Sequence, residues 1–139
     1  LHSIKDGDVI CAGNWKLEVL AVPGHTDGSV AFFDREKNVI FSGDCANPIM
    51  VLRKRGCEKD EELVVRWLEK LRYVDSQIND ETLICAGHGM LQREVWKQLI
   101  EAAEGPEFFK QREEGYISLM ITLLSGKTFR LCWDKEEMC

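Results

Sequence analysis

Val22-Pro23-Gly24-His25-Thr26-Asp27-Gly28-Ser29-Val30 sets a histidine directly behind an apolar segment that Pro23-Gly24 brings to a halt. Upstream, Leu17, Val19 and Ala21 alternate with Glu18, Leu20 and Val22, the period of two expected of a strand. Downstream, Ser29 to Phe33 and Val39 to Phe41 read as a hairpin, because the five polar residues Asp34 to Asn38 suit a longer hairpin loop. The second of these strands runs through Ser42-Gly43 into Asp44. Further on, the apolar run Thr82-Leu83-Ile84-Cys85-Ala86 enters Gly87-His88-Gly89. His25, Asp44 and His88 therefore share one context: a metal-competent side chain one or two residues past the end of a strand, beside glycines that let backbone pack closely. In α/β sheets the crevice at the strand ends is where sites are built. Two imidazoles and a carboxylate converging there suit zinc, iron or manganese.

The rest of the chain supplies the frame. Val9-Ile10-Cys11 is a further short strand between Asp6-Gly7-Asp8 and Gly13-Asn14. From Glu61 to Tyr73 the period changes: Leu63, Val64, Trp67, Leu68 and Leu71 recur at helical spacing, with Asp60 as the expected N-cap. A second helical pattern runs from Leu91 through Val95 and Leu99 to Ala102-Ala103, closed by Gly105-Pro106. Tyr116 to Leu124 and Thr128 to Trp133 give two closing strands. No repeat or low-complexity linker divides residues 1–139, so a single α/β domain, a mixed sheet covered by two helices, is expected.

The stretch from Val22 to Val30, with Ile40-Phe41-Ser42-Gly43-Asp44 and Cys85-Ala86-Gly87-His88-Gly89, resembles the last three metal motifs of the metallo-β-lactamase-fold hydrolases, in their glyoxalase-II-like branch. The resemblance implies the second half of an αβ/βα sandwich. It also implies that His25 binds a first divalent metal and His88 a second, most simply zinc, and that Asp44 bridges the two as the catalytic carboxylate. The family's H-x-H-x-D-H motif is absent from the 139 residues, where only His2 precedes His25. His2 sits in a polar lead-in and is read as non-functional. The chain is thus expected to be a partial domain, to bind at most one ion weakly through the three residues together, and to have little hydrolase activity alone. The uncovered inner face of such a half-sandwich would be an apolar patch, which predicts a homodimer or pairing with a missing N-terminal half.

Other features narrow the function. Eighteen Lys and Arg against 24 Asp and Glu give a formal charge of −6, which argues against nucleic acid as a partner. No apolar run approaches the roughly 18 residues of a membrane span. Arg53-Lys54-Arg55 reads as a solvated loop, with a local anion contact as the alternative. The six cysteines show no C-x-x-C pair, the pattern of reduced thiols in a cytoplasmic protein. Cys45 reads as a packed side chain rather than a thiolate. A nucleophilic pair of Cys45 or Cys85 with a histidine lacks an orienting third group. Asp27 belongs to a turn, and Trp15, Trp67, Trp96 and Trp133 are core or interface anchors. Two functions remain open. The chain carries part of a metal-dependent hydrolase that opens an ester, thioester or related bond in a small molecule with metal-bound hydroxide, or it is a non-catalytic assembly module with a vestigial site.

Overall fold

The alternation that marks the first third of the chain builds an antiparallel meander: β1 (Val9–Ala12), β2 (Trp15–Ala21), β3 (Val30–Asp34) and β4 (Val39–Gly43). A computed structural model describes residues 2–104, 116–123, 126 and 128–134. The β3–β4 hairpin forms as expected. Asn38 closes it at φ +55°, a conformation in which asparagine is enriched, and its side chain bonds to Asn79 and Thr82.

Helix α1 (Asp60–Gln77) buries the anticipated stripe of Leu63, Val64, Trp67, Leu68 and Leu71, and adds Val74. Its cap differs from expectation. Lys59, not Asp60, is the N-cap, and the Glu62 carboxylate accepts the Lys59 backbone N–H at 2.9 Å. Asp60 instead ties Lys54 (2.6 Å) and the indole N–H of Trp133 (2.9 Å). Lys54 is only 12% exposed, so this member of the basic cluster is no solvated loop residue. Arg55 pairs with Asp27, a role for Asp27 beyond the turn.

After α1 the chain returns through β6 (Leu83–Ala86), which lies parallel to β4, and turns at once into β7 (Gly89–Leu91). Leu91 was expected to open a helix. Here it ends a strand, paired with Ile84, and α2 starts two residues later (Arg93–Ala103). Gly105-Pro106, the expected stop, lies outside the described residues. The larger sheet has the order β1-β2-β3-β4-β6-β7. A second, three-stranded sheet was not foreseen: β5 (Ile49–Val51) pairs in parallel with β9 (Thr128–Asp134), which is antiparallel to β8 (Tyr116–Thr122).

Register separates the two faces of the larger sheet. Phe33, Ile40, Ile84 and Leu91 form one cross-strand row, with Leu20 and Ala31 on the same side. All are buried, and they join the buried residues of both helices and the small sheet in one apolar cluster. Full burial of such a side chain is worth about 1.5–3 kcal/mol. The opposite row is Val19, Phe32, Phe41, Cys85 and Met90. Val19 is buried by its neighbours but stands outside the cluster; Phe32, Phe41 and Cys85 are half-buried, and Met90 is 59% exposed. Among the described residues, this opposite face is thus the less buried of the two.

Candidate metal centre

Three strand ends meet at one edge of the larger sheet. Asp44 follows β4 directly. His88 occupies the two-residue turn Gly87-His88 between β6 and β7. Because β2 stops at Ala21, His25 lies four positions past its strand rather than one or two. It is brought back by β5: its Nδ1 lies 2.6 Å from the Val51 carbonyl, and the Arg53 N–H bonds to the Gly24 carbonyl at 3.0 Å. A carbonyl oxygen only accepts, so Nδ1 donates there, and in the tautomer protonated at Nδ1 alone Nε2 presents a lone pair.

That lone pair faces Asp44. His25 Nε2 stands 3.7 Å from Asp44 Oδ2, and His88 Nε2 stands 3.5 Å from Asp44 Oδ1. One carboxylate thus offers one oxygen to each imidazole. The His88 side chain is 73% exposed, whereas His25 and Asp44 are about half as open. The arrangement depends on glycine. Gly43 takes φ +55° to release Asp44 from β4, and the Gly87 N–H bonds to the Gly43 carbonyl at 2.7 Å, locking the two strand ends together. A Cβ at Gly87 would run into Asp44 Oδ1.

The donor chemistry fits divalent metal ions in part. Each Asp44 oxygen has one imidazole nitrogen beside it, but among the described residues no three His, Cys, Asp or Glu side chains form a group that could hold one ion. The two histidines address different oxygens of the Asp44 carboxylate. His2 is exposed and is not part of this arrangement.

Cys45, next to Asp44, is a core residue. Burial pushes its thiol up to about 12, so it stays protonated, and its carbonyl accepts the Trp67 indole N–H at 3.0 Å. Cys11, Cys85 and Cys132 are free thiols too. Cys57, however, is disulfide-bonded, against the expectation that all six are reduced. No described helix is long and apolar enough to cross a membrane. Sequence reasoning missed Asn47, whose buried amide touches both Asp44 and the His88 backbone.

No protein-family model matches the chain. In sequence it is similar to the hydroxyacylglutathione hydrolase GloC of Haemophilus influenzae, 31% identical over 85 residues that cover 61% of this chain and 39% of that protein. It is also similar to the acyl-coenzyme A thioesterase MBLAC2 of Gallus gallus, 46% identical over 41 residues, 30% of this chain and 15% of that protein. Among solved structures it superposes on a metallo-β-lactamase family protein from Thermus thermophilus with a TM-score of 0.58 and 24% identity, covering 70% of this chain and 33% of that one. The chain spans less than half the length of these relatives.

Proposed function

The chain shares the fold of the metallo-β-lactamase superfamily, and from that premise we propose that it carries the His25, Asp44 and His88 side of a two-metal hydrolase site acting on an ester or thioester. One observation carries the reading: Asp44 directs its two oxygens to two different histidine nitrogens, the disposition of a bridging carboxylate. Both named relatives are hydrolases of acyl carriers, glutathione in one case and coenzyme A in the other, which favours a thioester in a small-molecule substrate.

The residues divide the work. His25, fixed through Nδ1 by Val51, and Asp44 Oδ2 would hold one ion; His88 and Asp44 Oδ1 would hold the other. Zinc, iron and manganese all accept such donors. Bound there, divalent ions supply Lewis-acid polarisation of a carbonyl and a more acidic water. A catalytic metal usually takes three protein ligands, so two per position call for further donors from beyond the described residues. The less buried face of the larger sheet, with Phe32, Phe41, Cys85 and Met90, is the surface on which a segment supplying them, or a second copy of this chain, would pack.

Metal quantification after dialysis, with a thioesterase assay, tests the proposal on the 139-residue chain alone and on a version extended upstream. Weak retention of metal and little turnover by the chain alone, with both restored in the extended form, is expected. Two tightly held ions in the isolated chain would refute the incomplete-site reading. If neither form retains metal or turns over, the non-catalytic module stands instead.

A further inference from the structure

We infer that Asn47 is a positioning residue for Asp44 and His88, an inference that rests on the metal reading above. Its side chain is 3% exposed and lies between the ends of β4 and β6. The amide Nδ2 donates to Asp44 Oδ1 at 2.6 Å, and the amide oxygen accepts the His88 backbone N–H at 3.3 Å. Asn47 is itself held, because its backbone N–H points at the sulfur of the buried Met50 at 3.1 Å. One buried amide therefore ties together two donors that lie 44 positions apart in sequence, at Asp44 and His88.

The chemistry explains what the tie does. The terminal torsion of an aspartate is broad, so an unrestrained Asp44 carboxylate could swing away from either imidazole. A hydrogen bond to a carboxylate is charge-assisted and roughly twice as strong as a neutral one. It occupies one lone pair of Oδ1 and leaves the other facing His88 Nε2, while Oδ2 is aimed at His25. Holding the His88 backbone by the same amide fixes the turn that carries the second imidazole. Neither aspartate nor leucine would do both, since one lacks the donor and the other lacks both groups.

The experiment is a zinc titration of the whole chain followed by NMR of the His25 and His88 imidazoles. In Asn47→Ala the apparent affinity should fall about 10–100-fold, the usual cost of losing a group that orients metal ligands. The His88 response should weaken more than that of His25, a split that general destabilisation would not produce. Thr82→Ala is the control, because Thr82 is also a buried, hydrogen-bonded polar residue but serves Asn38 and Asn79. It should lower Tm and leave the zinc response intact. Asn47→Ser, too short to reach both partners, repeats the test in a second side chain.

Unchanged affinity in folded Asn47→Ala would overturn the inference and leave the metal reading standing. Equal loss in Thr82→Ala, or failure of both Asn47 variants to fold while Thr82→Ala folds, would reduce Asn47 to a structural residue. A wild-type chain with no zinc-dependent shift at either histidine would overturn the metal reading, and the inference with it.

Discussion

Two polar clusters in this molecule are built on opposite plans. Around the start of α1, the Arg66 guanidinium grips Glu58 with bonds of 2.7 and 2.8 Å and also donates to the Arg53 carbonyl. Both side chains are nearly buried, at 12% and 10% exposure. Arg66 and Glu58 there meet at hydrogen-bond distance. At the strand ends, by contrast, His25, Asp44 and His88 stand 3.5–3.7 Å apart and open to solvent, with lone pairs facing a common space. The first cluster satisfies itself and so secures the fold. The second leaves both histidine Nε2 atoms without a partner at hydrogen-bond distance among the described contacts, which suits a site that awaits a ligand.

The largest expected effect breaks the first cluster. Arg66→Ala strands the Glu58 carboxylate in a nearly buried position, and chemical denaturation should show a loss of about 2–3 kcal/mol. Zinc-dependent shifts of the histidines should survive in the folded fraction.

Gly87→Ala should come next and touch the second cluster. The added methyl meets Asp44 Oδ1, so the carboxylate or the turn must move, at about 1–3 kcal/mol by overpacking. Here metal affinity should fall further than stability does, the reverse of Arg66→Ala. Measuring both quantities on both variants sharpens the contrast.

Acid reports on the closed charges. The Arg66 hydrogen bond holds Glu58 below its ordinary 4.5, and Arg35 does the same for Glu18. Backbone N–H groups of Lys37 and Lys16 lower Asp34 from 3.8. A carboxyl lowered in the folded state stabilises it above the unfolded value and loses that contribution as pH falls through the folded one. Denaturation curves should therefore weaken from about pH 4.5 downward, and Arg66→Ala should flatten that fall by removing the Glu58 share.

The smallest stability effect belongs to the open cluster. Asp44→Asn removes a partly exposed charge that stands 3.5–3.7 Å from the histidines but accepts the Asn47 amide, and should cost about 1 kcal/mol. A loss of several kcal/mol would make Asp44 a structural residue and collapse the distinction between the clusters.

Much of this was legible in the residues themselves. Alternation gave β2, β3 and β4, the 3.6-residue period gave α1, and the glycine-flanked His25, Asp44 and His88 marked the strand ends that the fold brings together. What escaped depended on distant partners. β5 and β7 have three residues each, too few for any period, and β5 becomes a strand only by pairing with β9, some 80 positions away. Lys54 reads as a surface charge from its short basic run, yet it pairs with Asp60 six positions on. Asn47 belongs to no motif; its role follows from sitting three residues after Asp44 while the turn from β6 folds back over it.

The central claim is that Asp44 links two separate histidine positions into one metal-binding arrangement. Zinc titration of the wild-type chain and Asp44→Asn, read at the His25 and His88 imidazole signals, tests it most directly. Both histidines should respond in the wild type, and both responses should weaken together in Asp44→Asn although the variant stays folded. A response that persists unchanged in Asp44→Asn, or none at either histidine in the wild type, would contradict it.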